Sequence, residues 1–200
     1  MPKELGALEA IAARRSIRRY SPEPVPAADL QAILEAGLAA PSSGNQRAWR
    51  FLVVEREEDR RRLLEESAKA LVASLSEERL ARNGGAEALL RDTLQAAEGY
   101  ATAPVIVAVL GDTKGPWPGY LKHDCPIAAA TMMIAARSLG YGSVYLSDTV
   151  TEAGLRAAFG LSERWVSPCS IALGLPAEEP EAREPADPAT YVWRGAPRED

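Results

Sequence analysis

The chain reads as one domain that mixes helices with short strands. Three observations carry this: several stretches repeat apolar residues at helical spacing, four short runs are β-prone, and 46% hydrophobic content in 200 residues is enough for one sizeable core. Taken in order, Leu5, Leu8, Ile11 and Ala12 predict a short amphipathic helix from Glu4 to Arg14. That helix delivers Arg14-Arg15-Ser16-Ile17-Arg18-Arg19-Tyr20 to its end. Ser21 to Pro26 then predicts a stiff connector, because each proline fixes its own φ and biases the preceding residue away from helix. A second helix is expected from Ala27 to Ala40, a loop over Pro41-Ser42-Ser43-Gly44-Asn45-Gln46, and a strand from Trp49 to Glu55.

The charge run from Glu55 to Arg62 reads as the solvated first turn of a helix carrying Leu63, Leu64, Ala68, Leu71 and Leu75. Asn83-Gly84-Gly85 interrupts, and another helix follows from Ala86 to Tyr100. Val105 to Leu110 is a continuous apolar run, the mark of a strand covered on both faces. Gly111 to Tyr120 reads as a loop, either one that closes over a ligand or a surface connector. Asp124 is the expected N-cap of a helix from Cys125 to Leu139 whose residues are small or apolar on every face, which calls for burial on every face by the core, a subunit interface or both. Gly140 stops it. A strand running into a loop (Gly142 to Asp148), a helix (Thr151 to Phe159) and a strand (Ser170 to Leu173) complete the body. Beyond Gly174, Pro176, Pro180, Pro185 and Pro188 predict an extended arm of about residues 176–200. It ends in Thr190-Tyr191-Val192-Trp193, a β-prone tetrad expected to dock as a strand on a partner subunit or on the chain's own body.

Composition narrows function. A net charge of −5 makes the arginine cluster a local feature and argues against nucleic acid as a partner. The N-terminus lacks an apolar signal core and no stretch nears the ~20 apolar residues a bilayer span requires, so a cytoplasmic protein without membrane contact is expected. Cys125 and Cys169 suggest neither a disulfide framework nor a metal site, and His123 is the one histidine of the chain. Side chains alone are a thin basis for catalysis, which points to an organic cofactor. Two stretches offer ligand chemistry. Four arginines and a serine within residues 14–20 make either a solvated basic helix end or a site for a small anion such as phosphate. The hydroxyl- and amide-rich loop at 41–46 is either an ordinary turn or a ligand contact.

Four motifs, Arg-Arg-Ser-Ile-Arg-Arg-Tyr at 14–20, Pro-Ser-Ser-Gly-Asn-Gln-Arg-Ala-Trp at 41–49, Leu-Gly-Tyr-Gly-Ser at 139–143 and Ala-Leu-Gly-Leu-Pro at 172–176, resemble in order and spacing the nitroreductase family of FMN-dependent oxidoreductases. The resemblance implies an α+β fold with a central, mostly antiparallel sheet flanked by helices, in an interlocked homodimer with an exchanged C-terminal arm and FMN shared between subunits. It assigns Arg14, Arg15 and Ser16 to the FMN phosphate and ribityl chain, and Arg18 to the flavin pyrimidine edge, where a cation favours the reduced cofactor. It assigns Pro41, Ser42 and Ser43 to a loop supplied by the partner subunit, and Asn45 to the amide that hydrogen-bonds the flavin pyrimidine. Leu146, Ser147 and Asp148 fall where the family places a backbone N–H at flavin N5, and Arg183 where it has a phosphate-contacting arginine. The chain departs from the family pattern in lacking glycine at 146–148 and in carrying Glu181 where a basic residue is common. The implied activity is hydride transfer from NADH or NADPH through FMN to a nitroaromatic, a quinone or a similar small aromatic acceptor, in ping-pong order, with no catalytic side chain and no metal. Tyr100, Trp117 and Tyr120 suggest an aromatic-lined substrate side. The alternatives are dehalogenation, flavin breakdown, or a flavin carrier or sensor without turnover; a flavin-free anion-binding dimer ranks last.

Overall fold

A computed structural model of the chain describes residues 5–181, 183–184 and 186–195. Glu4, where the first helix was expected to begin, and Pro185 of the arm lie outside the described residues. The elements are α1 (Ala7–Ala13), α2 (Ala27–Leu38), β1 (Trp49–Val54), α3 (Glu57–Ala73), α4 (Glu77–Arg82), α5 (Ala86–Ala101), β2 (Val105–Asp112), α6 (Leu121–Ser138), β3 (Gly142–Leu146), α7 (Glu152–Phe159), β4 (Trp165–Gly174) and α8 (Pro188–Tyr191). Short 3-10 turns occupy Ser43–Asn45 and Pro118–Tyr120. The strands form a sheet in the order β1-β2-β4-β3, antiparallel at every pairing, with helices on both faces.

The central strand explains the two-sided arrangement. Successive side chains of β2 alternate between faces. Val105, Val107 and Val109 join α2 and α6 through Ile33, Ala128 and Met132, while Ile106, Ala108 and Leu110 join α3, α5 and α7 through Leu63, Ala97 and Leu155. Burying each such aliphatic side chain contributes about 1.5–3 kcal/mol, so β2 is the main support of both layers.

Several boundaries differ from those the sequence suggests. β4 begins at Trp165, five residues before the expected Ser170, because Pro168 sits in a bulge where the register shifts opposite Val109 and Gly111. There the missing N–H breaks no ladder bond. α4 is short and was not expected; Ser76 caps it, accepting a hydrogen bond from the Arg79 amide. α6 starts at Leu121, so Asp124 lies inside its first turns and is not its N-cap, and Pro126 is accommodated at the loss of one helix bond. Leu121 packs tightly under Gly111, where an added Cβ would lie 3.0 Å from the leucine Cδ1, and this contact draws the helix start back. Gly140 ends α6 in the expected way, with φ 90° and the Tyr141 amide bonded to the Ala136 carbonyl. Within one chain the core covers most of α6, while Ile127, Ala130 and Thr131 leave part of one face open or half-open. The strand expected at Thr190–Trp193 is also absent. Asp187 caps a single helical turn, and Tyr191, Val192 and Trp193 stay exposed, so this tetrad does not dock on its own chain.

Candidate functional site

The arginine cluster is an extended segment laid along the open edge of β3. Helix α1 ends at Ala13 and Arg14 takes extended backbone angles; Ser16 then bridges Ser143 in parallel, with the Ile17 amide donating to the Ser143 carbonyl at 3.1 Å. The segment's other end is held from the far side. Tyr20 bridges Pro176, the Ala177 amide donates to the Arg19 carbonyl, and the Ser21 amide to Leu175. The buried Tyr20 hydroxyl donates to the Ile17 and Ala172 carbonyls, and burial pushes its pKa well up. Gly99 of α5 comes so close that an added Cβ would sit 2.6 Å from the Arg18 carbonyl oxygen. The cluster is therefore a clamped ribbon with a defined shape.

Its charges divide. Arg19 pairs with Glu178, whose carboxylate also accepts from the Arg18 and Arg19 amides; these bonds hold the glutamate below its ordinary pKa. Arg15 donates to the Ala12 and Arg14 carbonyls, both at 2.9 Å. Arg14 and Arg15 then line a cavity of about 360 Å³ together with Arg137, Ser143, Tyr141 and Glu178. Two buried polar atoms at this cavity have no partner, Arg137 Nε and the hydroxyl of Ser143, a residue only 1% exposed. A buried donor left unpaired is costly, and the same holds of Arg60 Nε, Arg156 Nε and the Ser170 hydroxyl, which do not line this cavity.

Arg18 is exposed, and Arg183 is exposed on the arm and is not among the residues lining this cavity. The side chain of Leu146 packs into the α3/α5/α7 layer and the residue is buried; Ser147 and Asp148 follow as an exposed loop with the Ser147 hydroxyl bonded to the Asp148 carboxylate. Between them and Ser143, on the same strand face, stands Tyr145, an exposed aromatic whose phenol burial and Cys169 push upward in pKa.

Residues 41–47 form the second feature. Gly44, Asn45 and Arg47 have φ of 56°, 54° and 46°, left-handed backbone that side-chain-bearing residues adopt only when held. The Ser42 hydroxyl accepts from the Arg47 amide and the Asn45 side-chain oxygen from Arg47 Nε, both at 3.0 Å. Asp124, 2% exposed, accepts from the Ser43 amide (3.0 Å), the Ser43 hydroxyl (2.9 Å) and the Gln46 side chain (2.6 Å). This loop sits at the N-terminal end of α6 and the Arg14 cavity at its C-terminal end. Asp124 and Arg137 are about 20 Å apart along the helix at the standard rise per residue. The two features the sequence singles out are thus not brought together within one chain.

A family model for the nitroreductase family matches residues 11–175. The chain belongs to the nitroreductase family. An NADH dehydrogenase of Thermus thermophilus is 30% identical over 204 residues, covering 95% of this chain and 97% of that protein. Among solved structures, a nitroreductase with bound FMN from Bacteroides fragilis superposes with a TM-score of 0.72 at 30% identity, covering 96% of this chain and all of that one. A second nitroreductase with bound FMN, from Desulfitobacterium hafniense, has a TM-score of 0.72 at 25% identity over 98% of this chain. The sheet order and the two helical layers are therefore those of a nitroreductase fold. Ser143, Arg137, Tyr145, Asp124 and Gln46 were not singled out from sequence as site residues. Ser143 lies in the motif at 139–143 and Gln46 in the loop motif, but which of their neighbours face a ligand follows from the β3 edge and the α6 termini, and no spacing rule reports that.

Proposed function

We propose that this chain is an FMN-dependent oxidoreductase that works as a homodimer. The observation that carries the reading is the cavity at Arg14 and Arg15, where two guanidinium groups meet the unpaired Ser143 hydroxyl and Arg137 Nε. A phosphate monoester on a polyhydroxyl chain suits these donors: guanidinium groups take phosphate oxygens in bidentate fashion, and a serine hydroxyl exchanges hydrogen bonds with a ribityl hydroxyl. Glu178 is no obstacle, since its carboxylate is already engaged by Arg18 and Arg19.

When bound, FMN would supply two-electron chemistry between NADH or NADPH as donor and a nitroaromatic, quinone or similar acceptor, the two using the site in turn. The chain's part is to hold and orient. Arg14, Arg15 and Ser16 bind the phosphate end, Arg18 stands by the pyrimidine edge, the exposed backbone at Ser147 and Asp148 offers an N–H to the ring, and Arg183 closes from the arm.

The ~20 Å along α6 between the Arg14 cavity and the Ser42–Asn45 loop is too far for one FMN to touch both within a chain. A second copy that supplies Pro41, Ser42, Ser43 and Asn45 to this chain's arginines resolves the distance. Exposed Leu8, Ile11, Leu38 and Ile127 on α1, α2 and α6 give that copy an apolar surface to cover, and the exposed Tyr191-Val192-Trp193 gives the arm something to dock with. A cytoplasmic setting accords with two buried free thiols, and no helix among the described residues is long and apolar enough to cross a membrane.

The test is the visible spectrum of the purified chain, chromatography of any flavin released on denaturation, and oxidation of NADH and NADPH with and without menadione or a nitroaromatic. Roughly one FMN per chain and an acceptor-dependent rate are expected. A colourless protein that takes up no added FMN overturns the reading, and FMN binding without an acceptor-dependent rate reduces it to a flavin carrier.

A further inference from the structure

The Gly111–Tyr120 segment has the composition of a mobile lid, yet its centre is fastened. The Gln46 side chain grips the backbone of Trp117 from both directions: its amide nitrogen donates to the Trp117 carbonyl and its oxygen accepts from the Trp117 amide, each at 3.1 Å. The same amide nitrogen donates to Asp124 at 2.6 Å. The indole lies across Gly44, where a Cβ would stand 2.9 Å from Trp117 Nε1, and the residue is nonetheless 54% exposed. One buried carboxylate on a rigid helix thus organises two segments far apart in sequence, the left-handed turn at 43–47 and the tryptophan at 117.

We propose that Asp124 is a positioning residue whose carboxylate holds the Ser43–Gln46 turn and, through Gln46, fixes Trp117, so that turn and indole present one preformed wall to a planar aromatic ligand. The inference rests on the FMN reading for the identity of that ligand. Three donors converge on the carboxylate, the Ser43 amide, the Ser43 hydroxyl and the Gln46 amide, and an ionised aspartate, which only accepts, satisfies all of them. Asparagine in its place keeps an acceptor at only one of the two oxygen positions, so its NH₂ faces either the two Ser43 donors or the Gln46 amide and loosens the turn from its strained backbone. Flat aromatic ligands gain from a wall already in place, because neither segment has to be ordered when they bind. Trp117 is accordingly a wall of the substrate side rather than a lid that closes over it.

The experiment compares the full-length wild-type chain with Asp124→Asn, Gln46→Ala and Trp117→Phe. It reads FMN affinity, acrylamide quenching of tryptophan fluorescence relative to Trp117→Phe, and kcat and KM for menadione, with far-UV circular dichroism to check folding. Asp124→Asn is expected to weaken FMN binding about tenfold or more and to make the Trp117 contribution more quenchable. Gln46→Ala keeps the Ser43 bonds, so it is expected to free Trp117 and raise KM for menadione several-fold, with a smaller loss of FMN affinity than Asp124→Asn. A folded Asp124→Asn chain with wild-type FMN affinity and wild-type quenching overturns the proposal. If Asp124→Asn does not fold, the double variant Ser43→Ala/Gln46→Ala, which removes the side-chain donors and keeps the carboxylate, carries the same two readouts. If the wild-type chain takes up no FMN, the cofactor reading falls by itself, and the quenching comparison alone decides the positioning.

Discussion

At the residue scale, what matters about the four arginines is how differently each is engaged. Arg19 is paired with Glu178, Arg15 caps carbonyls, and Arg14 lines a cavity in which Ser143 and Arg137 leave polar atoms unpaired. Arg14→Ala is therefore expected to weaken FMN binding ten- to a hundredfold, from the ~1.5–3 kcal/mol of a charge-assisted bond, with the fold intact by circular dichroism. Titration of FMN into the apo chain measures this, and full retention of cofactor would count against the phosphate assignment. A second residue pair sets a pH response remote from the cavity. Asp112 accepts from Arg164 through both oxygens and from the Lys114 amide, and the Arg164 bonds hold its carboxyl down to about 2. A carboxylate depressed in the folded state stabilises it above the unfolded pKa near 4, and that contribution disappears as pH falls through about 2. The melting temperature of Asp112→Asn should lie below wild type at pH 7, with the gap closing between about pH 4 and 2; a gap independent of pH would refute the linkage.

At the element scale, two glycines mark where helices meet their neighbours without room for a methyl group. A Cβ on Gly154 of α7 would fall 2.1 Å from the Ser67 hydroxyl and 2.6 Å from its Cα, in the backbone of α3. Gly154→Ala is expected to destabilise the chain by ~1–3 kcal/mol or more, read as a lower urea midpoint, with FMN affinity per folded molecule unchanged. Gly99→Ala has a different consequence because the atom it meets is the Arg18 carbonyl oxygen, at 2.6 Å. Displacing that ribbon should cost cofactor affinity as well as stability. If both variants leave FMN affinity alike, the ribbon at 16–20 does not depend on α5 for its position.

At the scale of the whole molecule, α6 separates the two candidate ligand features by its length. If two chains share each site, a chain with Arg14→Ala and a chain with Asn45→Ala fail separately for different reasons. Refolded together they form some dimers in which one site carries both changes and the other carries none. Random mixing is expected to restore FMN binding at about one site in four. No recovery above the separate variants would mean that each chain binds cofactor alone. Covering Leu8, Ile11, Leu38 and Ile127 is expected to drive the pairing, so Ile127→Glu should shift the sedimentation coefficient towards a monomer and lose FMN with it.

Local chemistry made much of this readable in the chain itself. Helical spacing from Ala27 to Ala40 and from Ala86 to Tyr100, the unbroken apolar run of β2, the Gly140 stop and the order of four motifs point to the helices, the central strand and the family without any coordinates, because each depends on neighbours within a turn or two. Pro168 hid the first half of β4, since a bulge that accommodates proline is made by the strand beside it. Asp124 read as a helix cap, and only the tertiary structure turned its carboxylate to Ser43 and Gln46, 81 and 78 residues away in the chain. The fold also decided which arginines are already paired, that the Ser143 and Ser170 hydroxyls are buried without a partner, and that Trp117 is fastened and the arm's aromatic end exposed. Such properties arise where segments distant in sequence meet, and periodicity and composition carry no record of those meetings.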